Sequence, residues 1–186
     1  MRIIAGQMRG RRLVAPSGTD TRPTSDRVRE SIFAILGDIT GSEVLDLFAG
    51  SGAMALEALS RGAHSALCVD TAPAALSAIR ANAAILDDAD RLRLRRADWR
   101  RAVADEAAAG RRYGLCLLDP PYSLLPRITG DLAGVLASVL APGATIVVEG
   151  AASGGPADIP GLTIARRIDR TYGSTSITII HTDVNQ

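Results

Sequence analysis

The chain has 186 residues, 47% of them apolar, and a formal net charge of +1. That is long enough for one well-buried domain with a small extension, and the composition excludes a disordered or collagen-like chain. No apolar run approaches the roughly 18 residues of a bilayer span, and "MRIIAGQMRGRRL" holds no apolar stretch of signal-peptide length, so a cytoplasmic protein without a membrane segment is expected.

The charge is unevenly placed. Residues 1–30 carry seven Arg against Asp20, Asp26 and Glu30, whereas the remainder has fourteen Arg against seventeen acids. A basic arm on a near-neutral body points toward nucleic acid. The chain contains no Lys, so the choice of Arg follows composition, and only the position of the charge is informative. Cys68 and Cys116 both fall in apolar runs, which fits reduced core thiols. His64 and His181 have no partners at ligand spacing, so no metal site is expected.

In chain order, residues 2–5 and 11–15 can pair as a hairpin around "GQMRG", and 15–23 read as loop. Thr24 or Ser25 can cap a helix running to about Leu36, with Val28, Ile32, Ile35 and Leu36 on one face. A strand at Val44–Phe48 leads through "AGSGA" into a helix at Met54–Arg61. A strand at Ser65–Val69 ends on Asp70, and a helix over Ala72–Leu86 turns Ala75, Leu76, Ile79 and Ala83 inward. Next come a weak strand at Leu92–Arg96, a helix from Trp99 to about Ala109, a strand at Tyr113–Leu118, a helix at Ile128–Leu140 and a strand at Ala144–Glu149. Leu162–Asp169 and Ser176–Thr182 close the chain as a hairpin.

Alternating strands and helices predict an α/β fold, a Rossmann-like, mostly parallel sheet with helices on both faces. The last two strands have no helix between them, so one of them should run antiparallel at the edge. The expected division is a small N-terminal hairpin and helix extension, residues 1–39, and one α/β domain over 40–186.

"DLFAGSGAMALEA" (46–58) follows a strand and opens a helix. Gly50-x-Gly52-x-x-Ala55 matches the dinucleotide fingerprint, with Asp70 twenty residues after Gly50, although a bare strand-to-helix turn would need the same glycines. Charge discriminates between ligands. A pyrophosphate at this turn would meet the negative charge of Asp46. S-adenosylmethionine carries no phosphate, and its sulfonium and ammonium suit an acid at a strand end. Phe48, Ala49, Gly50, Ser51 and Gly52 then let backbone approach the nucleoside, and Asp70 with Thr71 faces the ribose. Asp98 is placed either to accept from the adenine amino group or to cap the next helix. Trp99 either flanks the ring or packs in the core.

Asp119-Pro120-Pro121-Tyr122 ends the strand Tyr113–Leu118, because proline cannot continue a ladder. Ligands of open α/β sheets bind beyond the carboxyl ends of strands, so Asp46, Asp70, Asp98 and Asp119 are expected along one edge. This tetrapeptide suits methyl transfer to a planar amino nitrogen, whose lone pair is conjugated into the ring. The Asp119 carboxylate and the Pro120 carbonyl can accept both amino protons and free that lone pair. Pro121 restricts the Pro120 backbone, and Tyr122 offers a face for the base, worth about 1–3 kcal/mol.

"VLDLFAGSG", "VD", "AD" and "DPPY", in this order, resemble the class I S-adenosylmethionine-dependent methyltransferases that modify exocyclic amino groups of nucleic acids. "RIIAGQMRGRRL" and "RPTSDRVRESIFAIL", followed by "DLFAGSGAMALEALSRGA", resemble more narrowly the bacterial 16S ribosomal RNA guanine-N2 methyltransferases of the RsmD family. The resemblance implies a seven-stranded sheet with the fourth strand beside the first, which would hold Cys68 and Cys116 too far apart to bond. It implies methylation of a guanine N2 in 16S rRNA or the 30S particle. It also implies cofactor contacts by residues 46–52, Asp70 and Asp98, base contacts by residues 119–122, and closure by Thr24 and Ser25. A monomer is expected. Arg9, Arg11 and Arg12 are read as phosphate contacts, with Arg22, Arg27 and Arg29 as further candidates. Three other readings stay open: a DNA or other RNA amino-methyltransferase acting on adenine N6 or cytosine N4, a protein glutamine methyltransferase, and a non-catalytic RNA-binding assembly factor.

Overall fold

Ser25 starts the first helix as the sequence leads one to expect. Its hydroxyl accepts a hydrogen bond from Val28 N, 3.3 Å, and opens α1 (Asp26–Leu36). A computed structural model describes residues 1–18 and 24–183. After α1 come β1 (Glu43–Leu47), α2 (Ala53–Ser60), β2 (Ser65–Asp70), α3 (Pro73–Ala83), β3 (Leu92–Arg96), α4 (Trp99–Ala108), β4 (Tyr113–Leu118), α5 (Leu125–Leu136), β5 (Leu140–Ala151), β6 (Ile164–Tyr172) and β7 (Thr175–Thr182). The strands form one seven-stranded sheet in the order β3-β2-β1-β4-β5-β7-β6.

Contacts group the chain into two units, Met1–Asp98 and Trp99–Gln186. In the first, β1, β2 and β3 run parallel, with Asp46 in register with Cys68 and Asp70 with Arg96. β1 and β2 are buried on both faces except at their ends, as their apolar runs require. Arg91 ties down the far end of α2 and the segment that follows it: its guanidinium donates to the carbonyls of Leu59, Ala63 and His64. In the second unit, β4 and β5 are parallel, and β7 runs antiparallel to both β5 and β6. β6 is the exposed edge.

Three local expectations are corrected. The helix after the double proline starts at Leu125 rather than Ile128, because the turn itself feeds into it, with Pro126 in its first turn. β5 begins at Leu140 and passes through Pro142-Gly143, with a register irregularity between Tyr113 and Leu115 of its partner. The inward position of α3 belongs to Asn82, not Ala83. The N-terminal hairpin reduces to a single bridge, Arg2 to Arg12, reinforced by Ile3 N to Arg11 O (2.9 Å) and Gly10 N to Ile3 O (2.9 Å). Cys68 and Cys116 are free and buried. Among the described residues, no helix is long and apolar enough to cross a membrane.

Candidate functional site

In the first unit, β1 carries Asp46 into the glycine turn. Asp46 is only 2% exposed, and its Oδ2 accepts from Ala55 N, 3.2 Å away in the first turn of α2. Phe48 takes φ 64°, a left-handed conformation that costs a non-glycine residue about 1–3 kcal/mol and concentrates at functional turns. The turn brings Ala49 N to Val69 O, 3.1 Å. Gly50 N then donates to Asp70 Oδ2 at 2.9 Å, while Asp70 Oδ1 accepts from Ala72 N at 2.9 Å. Gly52 starts α2 at φ 73°, and a Cβ there would lie 3.2 Å from Ile79 Cγ1. The turn therefore needs glycine for both conformation and space.

This geometry bears on the ligand. In a dinucleotide site the turn amides are offered to a pyrophosphate. Here the Gly50 amide is given to a carboxylate, and a second carboxylate lies buried beneath the loop. Burial, followed by the nearby charges of Asp46 and Asp70, pushes the Cys68 thiol well above its ordinary range, so the anionic field reaches into β2. A carboxylate has about four acceptor positions, so Asp70 can hold the loop and still accept from ribose hydroxyls. The residues fit a cationic nucleoside better than a phosphate.

Thr71 and Asp98 are exposed, and Asp98 follows β3 at the end where the parallel β1 and β2 also finish. Ala97 N donates to Asp70 O, 3.3 Å, which ties those strand ends together. Thr24 is half-buried, and the Ser25 hydroxyl is engaged by Val28. Trp99 is 3% exposed at the head of α4, with the Arg100 guanidinium 4.4 Å above its ring.

In the second unit, Asp119 is half-buried, Pro120 is buried and Pro121 is exposed. The Pro121 carbonyl accepts from Leu124 N (2.7 Å) and Leu125 N (3.3 Å), which opens α5. Among the described residues nothing donates to the Pro120 carbonyl. Tyr122 is 44% exposed, and its hydroxyl lies 3.3 Å from Thr175 Oγ1 at the start of β7.

The N-terminal arm is held by residues that sequence reasoning missed. Glu57, fully buried on α2, accepts from Ile4 N (2.7 Å), Ala5 N (3.0 Å) and Arg61 Nε (2.7 Å). The Ser60 hydroxyl donates to Ala5 O (2.6 Å) and accepts from Met8 N (2.9 Å). Asn82 accepts from Val14 N (2.8 Å) and donates to Val14 O and Ser51 O (both 2.9 Å), joining the arm to the glycine turn. The available signal was a Glu, a Ser and an Asn at core-facing helical positions, where a buried polar group must find a partner. Arg9, Arg11, Arg12 and Arg27 are exposed, as phosphate contacts require. Arg29 is corrected: it is fully buried, pairing with Asp26 at 2.9 Å and lying 3.9 Å from Glu57, and it also donates to Arg2 O, so it is a strut of the arm and not a surface contact. Arg22 lies outside the described residues.

Comparison with known proteins relates the chain to a family and to solved structures. A family model described as "Conserved hypothetical protein 95" matches residues 1–181. "Putative rRNA methyltransferase YlbH" of Bacillus subtilis is 44% identical over 125 residues, covering 66% of this chain and 67% of that one. "Ribosomal RNA small subunit methyltransferase D" of Escherichia coli K12 is 40% identical over 123 residues, 66% of this chain and 60% of that one. The match thus spans about two thirds or less of these relatives. The solved structure of "Putative methyltransferase yhhF" from Escherichia coli superposes with a TM-score of 0.81 at 33% identity, covering 99% of this chain and 98% of that one.

Proposed function

Because this chain belongs to the family described as Conserved hypothetical protein 95, whose relatives include small-subunit rRNA methyltransferases, we propose that it transfers a methyl group from S-adenosylmethionine to the exocyclic N2 of a guanine in 16S ribosomal RNA, in free form or within the 30S particle. The observation that carries the reading is the pair of carboxylates at the glycine turn, Asp46 buried beneath it and Asp70 accepting from Gly50 N at 2.9 Å. Such a turn suits a cationic nucleoside. The relatives' names support RNA as the acceptor, and the exposed arginines of the arm are consistent with it.

The cofactor supplies an electrophilic methyl on a positively charged sulfur. Asp46, the 48–52 backbone and Asp70 with Thr71 would hold its amino-acid and ribose portions, and Asp98 would receive its base. Asp119 and the Pro120 carbonyl accept the two amino protons of the guanine, which turns the nitrogen lone pair out of the ring plane. Tyr122 stacks on the base, contributing about 1–3 kcal/mol. Positioning the guanine amino group for the reaction would contribute up to about 7–11 kcal/mol. Asp119 need not be a strong base, since the alkylated nitrogen sheds its proton readily to the carboxylate or to water. Residues 1–39 serve as the RNA-binding arm. A base in folded RNA must be extruded at a cost of a few kcal/mol, which backbone contacts by Arg9, Arg11, Arg12 and Arg27 offset.

Labelled methyl transfer to naked 16S rRNA, 30S particles, duplex DNA and ribosomal protein tests the assignment. Label recovered as N2-methylguanosine from either RNA substrate is the expected result. Label confined to DNA or protein, or N6-methyladenosine as the RNA product, would overturn it.

A further inference from the structure

The terminal hairpin carries a charge pattern that the proposed mechanism leaves unused. β6 is exposed along almost its whole length and holds three arginines, Arg166, Arg167 and Arg170. Arg167 is neutralised: its guanidinium meets Asp169 at 3.0 Å and Asp158 at 3.8 Å, and donates to Ala157 O at 3.0 Å. Arg166 and Arg170 have no carboxylate partner among the described residues, and Arg170 bonds only the adjacent Asp169 carbonyl, 2.9 Å.

Register places these two cations. Residues directly opposite on antiparallel strands share a face. Arg166 lies opposite His181, Ile168 opposite Ile179, Arg170 opposite Ile177 and Tyr172 opposite Thr175. Arg166, Arg170 and Tyr172 therefore share one sheet face with Thr175, whose hydroxyl touches Tyr122. The sequence runs from Tyr122 through Thr175 and Tyr172 to Arg170 and, about 13 Å farther along the strand, to Arg166. Both unpaired cations thus stand on the one face that continues from the exposed ring of Tyr122, while the paired Arg167 points to the other.

We propose that this face of β6 is a second nucleic-acid contact, in which Arg170 and Arg166 bind two separate backbone phosphates of the RNA strand leading away from the base stacked on Tyr122. The inference rests on the RNA methyltransferase reading and adds to the N-terminal arm a track that begins at the acceptor base itself. Two uncompensated guanidiniums on an exposed edge match a polyanion, and the aromatic at its head matches a base. Thr175 acts here as a positioning residue, holding Tyr122 toward the track.

The test compares the parent with Arg166→Ala/Arg170→Ala in binding to 16S rRNA across a salt series. Each phosphate contact contributes about 0.7–0.9 to the slope of log K against log salt, so the double variant is expected to lose about 1.5 from that slope and to raise KM for RNA while cofactor affinity stays unchanged. Arg167→Ala, which removes a paired cation, is expected to leave the slope unaltered. If the double variant binds with the parent's slope and affinity, the second contact is wrong although the RNA reading stands. If it forms dimers while RNA binding is unchanged, the arginines only guard the edge strand against pairing, and the inference again fails. If the parent itself neither binds nor methylates rRNA, the underlying function fails and takes this inference with it.

Discussion

Asp70 shows how one side chain can shape a site before any ligand arrives. Its two oxygens hold Gly50 N and Ala72 N, so the glycine turn is preformed around a carboxylate. Asp70→Ala is expected to leave both amides without that partner and to weaken S-adenosylhomocysteine binding by roughly ten- to a hundredfold, the scale of 1–3 kcal/mol for an unmade buried hydrogen bond; isothermal titration would measure it. Arg29 makes the complementary point. Removing this buried guanidinium takes the donor from Arg2 O and the ion partner from Asp26, while Glu57 keeps Arg61, so the loss should be about 1–3 kcal/mol of stability. Denaturant melts of Arg29→Ala should show that loss, whereas Arg9→Ala, Arg11→Ala and Arg12→Ala together should leave the melt intact and lower only the salt dependence of RNA binding. The thiols are inert for a physical reason: burial pushes Cys116 up to about 12 and Cys68 well above its ordinary value, so neither should react with an aromatic disulfide reagent at neutral pH until the chain unfolds.

At the scale of elements, the arm and α2 form one device. A Cβ on Gly6 would lie 1.8 Å from the Ser60 carbonyl oxygen, and Gly6 sits at φ 80°. Gly6→Val should lift the arm from α2, and limited proteolysis should then cut within residues 1–18 at a protein concentration where the parent resists. What was legible in the sequence follows from the same physics. The strands β1, β2 and β4 and the turns after them were readable, because continuous apolar runs and glycine or proline punctuation have few structural solutions. Asp46, Asp70 and Asp119 stood out as acids at the ends of such runs. Arg29, Glu57 and Asn82 did not, because a polar residue on a helix reads as solvated unless its distant partner is known, and the backbone groups they bind lie 27 to 68 residues away. The start of α5 was missed because the Pro121 carbonyl, and not a side-chain cap, accepts its first amides.

For the molecule as a whole, His181 links stability to pH. Its Nδ1 lies 3.0 Å from Thr145 Oγ1, and burial, followed by repulsion from Arg166, lowers its pKa. The unfolded chain takes up this proton near 6.5, and the folded protein only at a lower pH. The contribution is therefore complete above about pH 6.5 and is lost as pH falls through the folded value. Melting temperature should drop on acidification below that point, and His181→Gln should flatten the drop.

Single-turnover methylation of 16S rRNA and 30S particles by the parent and by Asp119→Ala, with the product nucleoside identified by mass spectrometry, bears most directly on the chemistry. The mechanism calls for N2-methylguanosine from the parent and a rate at least about a hundredfold lower for the variant, the scale of losing one preorganised transition-state contact, with cofactor affinity retained. An Asp119→Ala protein that methylates as fast as the parent, or a parent that places no methyl on guanine N2, would contradict it.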